Sequence, residues 1–176
     1  MRVIGGQHGG RTLVAPRGRD TRPTSDRVRE ALFSILGPVD GERVLDLFAG
    51  SGALAIEALS RGAAQATLVD SSRASVASIE RNLAALGLTA EVMACSARAF
   101  LGRARKDARQ YDLIFLDPPY RQASEFAAEL SVALAPLLAP GARVIAESDR
   151  RAPLDLELAL LDERRYGDTL IRIYGS

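Results

Sequence analysis

From Arg43 onward, short apolar runs alternate with longer amphipathic segments, and this rhythm constrains the fold more than any other property of the chain. Strands are expected at 44–48, 66–70, about 91–94, 111–116 and 142–147, with helices at 53–61, 73–86, 97–108 and 124–138. Ala159 to Arg164 and Asp168 to Tyr174 read as a closing pair around Gly167. Strands separated by helices pair in parallel, so the pattern predicts an α/β fold with a mostly parallel sheet covered by helices on both faces. Open sheets of this kind gather ligand chemistry at the carboxyl ends of their strands.

Two strand ends carry such chemistry. The run Val44-Leu45-Asp46-Leu47-Phe48 enters the turn Ala49-Gly50-Ser51-Gly52, which opens a helix through Ala53, Leu54 and Ala55. Gly50 and Gly52 lack a Cβ, so the backbone can turn sharply and approach a ligand. About twenty residues beyond Gly50, the next strand ends in Asp70, an offset suited to accepting hydrogen bonds from ribose hydroxyls. The glycine pattern alone is shared by NAD enzymes and many nucleoside binders.

The second strand end is Asp117-Pro118-Pro119-Tyr120, which follows the buried run Tyr111 to Leu116. Two prolines stop the strand and hold the following backbone extended. An acid, a fixed carbonyl and a flat ring then stand together, a set that can grip a planar nucleobase by its exocyclic amine. The plainer alternative is a strand-ending turn.

At 176 residues the chain fits one core of useful size. It has one cysteine, Cys95, and one histidine, His8, which argues against a disulfide, a zinc site and a Ser-His-Asp triad. Cys95 is expected to be a buried small residue. No apolar stretch reaches membrane-spanning length and no apolar signal core opens the chain, so a cytoplasmic location is expected. The net charge of +1 hides an uneven distribution, with Arg2, Arg11, Arg17, Arg19, Arg22, Arg27 and Arg29 facing only Asp20 and Asp26 in residues 1–29. Such an arm suits phosphate contact, and Arg2, Arg11, Arg22 and Arg27 are the expected nucleic-acid contacts. Arg22, Arg27 and Arg29 also lie near Asp26 and Glu30, so internal pairing competes with that role. Met1 to Ala15 reads as a hairpin, Pro16 to Pro23 as a connector, and Thr24 or Ser25 as the cap of a helix carrying Val28, Ala31, Leu32, Ile35 and Leu36 on one face.

Several blocks resemble the bacterial guanine-N2 methyltransferases of 16S ribosomal RNA, within the S-adenosylmethionine-dependent Rossmann-like class. They are Arg22-Pro23-Thr24-Ser25-Asp26-Arg27-Val28-Arg29-Glu30-Ala31-Leu32-Phe33, Asp46 through Leu54, Glu57 through Arg61, Asn82-Leu83, the Asp-Pro-Pro-Tyr segment and, more loosely, Tyr166 through Thr169. The resemblance implies a seven-stranded sheet with one antiparallel strand and a basic hairpin. It divides the chain into 1–23, hairpin and connector, and 24–176, a Rossmann-like methyltransferase domain. S-adenosylmethionine is implied at Asp46, Phe48, Ala49, Gly50, Ser51 and Gly52, at Asp70 and Ser71, and at Ser96 and Ala97. Asp117, Pro118, Pro119 and Tyr120 are implied as the target-base motif, and 16S rRNA or the assembling small subunit as partner of a monomer.

Three positions depart from the pattern. Ser96 stands where members often carry Asp or Asn beside the adenine, leaving that contact to a hydroxyl or to backbone. Gly9 and Thr12 replace frequent basic residues, which weakens the expected RNA grip. Ala55 replaces a frequent glycine, which helix packing tolerates. Two rival readings stay open at this level: a DNA adenine-N6 methyltransferase with a similar signature, and a non-catalytic RNA-binding factor that keeps the cofactor for stability.

Overall fold

The computed structural model describes residues 1–16, 25–118 and 123–176, with 123–126 as backbone only. Arg17, Arg19, Arg22, Pro119 and Tyr120 therefore lie outside the described residues. Strands β1 (Arg43–Asp46), β2 (Gln65–Val69), β3 (Glu91–Met93), β4 (Tyr111–Leu116) and β5 (Leu138–Asp149) pair in parallel. The chain closes with β6 (Ala159–Tyr166) and β7 (Thr169–Gly175). All belong to a seven-stranded sheet in the order β3-β2-β1-β4-β5-β7-β6. β7 is antiparallel to both neighbours, so the closing hairpin inserts its second strand beside β5.

Helices α1 (Asp26–Leu36), α2 (Ala53–Ser60), α3 (Arg73–Leu86), α4 (Ala97–Lys106) and α5 (Ala123–Leu134) cover both faces. Alternate residues of the strands feed two separate cores, because successive side chains point to opposite faces. Val44, Leu113, Phe115 and Ile145 pack with α1, α2 and α3, while Leu45, Ile114, Leu116 and Val144 pack with α4 and α5. Burial on both faces explains why β4 reads as a continuous apolar run.

Ser25 caps α1 by accepting the Val28 N–H at 3.3 Å, and Gly37 ends the helix with a positive φ of 70°. The Leu36 carbonyl accepts from Arg143, which pairs with Leu113 in the first half of β4, and the Phe33 ring lies 5.9 Å from Phe115 near the end of β4. These two contacts run α1 against the strand direction and bring its amino end toward the carboxyl ends of β4 and β5.

The helix expected to 138 stops at Leu134, and Pro136 sits in a short 3-10 turn over Ala135–Leu137. β5 begins earlier than expected because Leu138 already pairs with Tyr111, before a register shift restores the ladder at Leu113 and Arg143. Cys95 is half-buried rather than buried, since it lies just past the short β3 and only edges the second core.

Residues 1–16 form a narrow hairpin with one bridge, Arg2 to Thr12. Val3 (1% exposed) and Leu13 (4%) enter the first core, so this hairpin is packed on α2 and α3. Glu57, itself buried, accepts the Ile4 and Gly5 N–H groups at 2.7 and 2.9 Å. Among the described residues no helix is long and apolar enough to cross a membrane.

Candidate cofactor and base site

The turn after β1 is tied to the end of β2. The Gly50 N–H donates to Asp70 Oδ2 at 2.9 Å, and the Ser72 N–H donates to Asp70 Oδ1 at 2.7 Å. The Ala49 N–H donates to the Val69 carbonyl at 3.0 Å. Gly50 and Gly52 have φ values of 56° and 79°, a region that favours glycine. A Cβ on Gly52 would lie 2.9 Å from the Leu68 side chain, so this glycine also lets the turn pack on β2. A Cβ on Gly50 would meet no atom nearer than 4.0 Å, so space is open there for a ligand.

Asp46, 3% exposed, ends β1 and accepts the Ala55 N–H at 3.3 Å in the first turn of α2. Burial, with a contribution from the Asp70 charge, pushes its carboxyl up to about 7 against the opposing Ala55 bond. Asp117 follows β4 immediately and is half-buried, with Pro118 buried behind it. Burial, then the charges of Glu147 and Asp46, hold the Asp117 carboxyl well above the usual carboxylate range.

Asp46 and Glu147 share the strand face of Val44 and Ile145, and Asp117 continues that of Phe115. As they ionise, these carboxyl groups set up a negative field at the carboxyl ends of β1, β4 and β5 that suits a cationic ligand. S-adenosylmethionine, with a sulfonium and an ammonium, fits this field, the open Gly50 side and the Asp70 carboxylate.

The remaining expected cofactor residues line the same edge. Phe48 is half-buried against the second core, Ser51 is half-buried in the turn, and Ser71 is exposed beyond Asp70. Ser96 is exposed and its hydroxyl accepts the Ala99 N–H at 3.2 Å as the cap of α4, leaving its O–H free to donate. Ala97 is 8% exposed beside it.

The arginine set divides. Arg2 is exposed, with Nε 3.5 Å from Asp26, and Arg27 is exposed on α1. Arg11 is exposed and donates to the Ala85 carbonyl at 3.0 Å. Arg29 is 0% exposed; it donates to Asp26 at 2.7 Å and to the Arg2 carbonyl at 2.5 Å. Desolvation lowers its pKa against the pull of Asp26 and Glu57. Arg29 is thus a structural cation, the internal pairing that the nearby Asp26 allowed for.

Two residues of the site region escaped the sequence reading. Glu147 looks like one polar residue in an apolar strand, and only its register beside Asp117 gives it meaning. Asn82 was noted as part of a block, but its contacts to Val14 and Ser51 were not legible.

This sheet order, with a glycine turn after the first strand and an acid after the second, is the fold of class I methyltransferases. The family model described as Conserved hypothetical protein 95 matches residues 1–175, and the chain belongs to that family. The Bacillus subtilis (strain 168) protein named "Putative rRNA methyltransferase YlbH" is 40% identical over 180 residues, spanning 99% of this chain and 98% of that protein. "Ribosomal RNA small subunit methyltransferase D" of Escherichia coli (strain K12) is 46% identical over 124 residues, 69% of this chain and 61% of that protein. Among solved structures, "Putative methyltransferase yhhF from Escherichia coli" superposes with a TM-score of 0.85 at 38% identity, covering 99% and 97% of the two chains. The Thermus thermophilus "16S rRNA N2 G1207 methyltransferase (RsmC) in complex with AdoMet and Guanosine" gives 0.68 at 26% identity, over 91% of this chain and 44% of that one.

Proposed function

We propose that this chain is an S-adenosylmethionine-dependent rRNA methyltransferase that modifies the exocyclic N2 amine of a guanine in the small-subunit RNA. The observation that carries the reading is the placement of Asp117 on the sheet face of Asp46, next to the strand end that opens the Gly50–Gly52 turn. The names of the similar proteins support ribosomal RNA as the substrate class, and one of them names the guanine N2 position.

When bound, S-adenosylmethionine supplies an electrophilic methyl group on a sulfonium. Asp70, which holds the Gly50 and Ser72 N–H groups at the end of β2, accepts from the ribose hydroxyls. The amine of a nucleobase is a weak nucleophile because its lone pair is delocalised into the ring. Asp117 and the Pro118 carbonyl accept its N–H bonds and turn the lone pair toward the methyl group. Positioning and a fixed electrostatic field then supply most of the acceleration. With its pKa raised, the Asp117 carboxylate also takes the amine proton more readily as the nitrogen becomes cationic. Tyr120 is assigned from its place in the motif to stack on a base that is unstacked or already single-stranded.

The test is methyl transfer in vitro from radiolabelled S-adenosylmethionine to small-subunit rRNA, free and in assembled subunits, followed by nucleoside analysis. N2-methylguanosine is the expected product. N6-methyladenine in a DNA substrate would favour the first rival reading, and cofactor binding without transfer the second.

A further inference from the structure

Asn82 lies in the third turn of α3, is 2% exposed, and directs its whole amide at two other segments. Its Nδ2 donates to the Ser51 carbonyl at 2.9 Å and to the Val14 carbonyl at 3.0 Å. Its Oδ1 accepts the Val14 N–H at 2.8 Å. One side chain thus joins the turn after β1 to the amino-terminal arm. We infer that Asn82 is a positioning residue that makes arm and turn one unit, so that cofactor binding tightens the arm and a docked arm tightens cofactor binding. The inference rests on the Gly50–Gly52 turn being the cofactor site.

Three features carry it. The turn contains two glycines at positive φ, so its free backbone has unusual freedom, and whatever fixes it beforehand lowers the ordering cost of a ligand. The arm touches this turn a second time, with Met1 Sδ 3.6 Å from Ser51 Oγ, and the Met1 carbonyl accepts the Leu13 N–H at 3.0 Å. Beyond buried Leu13, Val14 is 41% exposed, and the two Asn82 bonds to its backbone hold the arm there. Two residues beyond Val14 the chain reaches Pro16 and then the arginine-bearing connector. The coupling is reciprocal, because linkage requires each site to shift the other by the same factor.

The direct test is amide hydrogen exchange in the unmodified protein, with and without saturating S-adenosylhomocysteine. Exchange of the Val14 N–H should slow by about fivefold or more. The Gly41 N–H, bonded to the Gly62 carbonyl at 2.9 Å before the amino ends of β1 and β2, should not change. Unchanged Val14 exchange with ligand shown bound by calorimetry overturns the inference. Failure of calorimetry to detect binding overturns the cofactor reading instead. A double-mutant cycle adds a second readout. Leu13→Ala, which loosens the arm without removing either Asn82 contact, should weaken S-adenosylhomocysteine binding several-fold, and should have a much smaller effect in an Asn82→Ala background, where only the Met1 contact still joins arm and turn. Additive losses, or no loss from Leu13→Ala alone, would also overturn the inference. If Asn82→Ala fails to fold, the exchange measurement still decides.

Discussion

Asp117 and Glu147 stand one step beyond the paired residues Leu116 and Ala146, at neighbouring carboxyl ends of β4 and β5. Adjacent parallel strands lie about 4.8 Å apart, so two carboxyl groups in this register feel each other strongly. The Glu147 charge is accordingly one cause of the raised Asp117 pKa, after burial. Removing that charge by Glu147→Gln should let Asp117 ionise at lower pH. The acidic limb of the pH–rate profile for methyl transfer should then move to lower pH. An unmoved limb would separate Glu147 from the reaction.

Asp117→Ala should lower turnover by about a hundredfold or more, the scale of one lost preorganised electrostatic contact. Cofactor affinity should change far less, because Asp117 is assigned to the amine. Single-turnover kinetics beside calorimetry separates the two quantities, and retained turnover would remove Asp117 from the base site.

Asp70→Ala should weaken S-adenosylmethionine binding by roughly 1–3 kcal/mol, the cost of leaving polar partners without an acceptor. Part of the loss comes from the turn itself, since Asp70 also holds the Gly50 and Ser72 N–H groups. Asp70→Asn, which keeps one acceptor oxygen, should fall between the two. Equal affinity for all three proteins in calorimetry would contradict the ribose assignment.

Asp46 should make both binding and stability depend on pH near neutrality. Its carboxyl, at about 7 in the folded protein, retains a proton that the unfolded chain has already lost. Its contribution to stability therefore declines as pH rises from the ordinary carboxylate range through about 7. A cationic cofactor favours the ionised form, so cofactor affinity should rise across the same interval. Asp46→Asn should flatten both dependences, measured by thermal melts and by titrations in buffers of different ionisation enthalpy.

Arginines 27 and 29 are two residues apart and should behave oppositely. Arg29→Ala should lower the melting temperature by several degrees, on the order of 5 °C, because a buried cation that ties α1 to the arm is lost. Neutralising Arg11, Arg22 and Arg27 together should weaken RNA binding. The salt dependence of binding should flatten by about 0.7 per lost phosphate contact on single strands. RNA binding unchanged at every salt concentration would show that the arm is not the docking surface.

The contrast between those two arginines shows what a sequence can reveal. The sequence placed Val28, Ala31, Leu32, Ile35 and Leu36 on the inner face of α1, whereas Arg29 and Phe33 are buried beside Val28, Leu32 and Leu36 and Ile35 is exposed, so the burial of an arginine went unread because an apolar stripe counts only apolar residues. Gly50, Gly52 and Asp70 were legible because a turn, a left-handed backbone and an acid at a fixed offset leave local marks. Glu147 left none, since its meaning comes from the register of β5 against β4. The insertion of β7 between β5 and β6 was equally hidden, because a hairpin reads the same whichever of its strands joins the sheet. Asn82 depends on a contact 68 residues away in sequence, which no local pattern encodes.

The most direct test of the account compares small-subunit rRNA from cells lacking the gene, complemented with the unmodified protein or with Asp117→Ala. Nucleoside mass spectrometry and primer extension would locate the modification. The account predicts that one N2-methylguanosine disappears with the gene, returns with the unmodified protein and does not return with Asp117→Ala. Unchanged N2-methylguanosine in the deletion strain, or full restoration by Asp117→Ala, would contradict it.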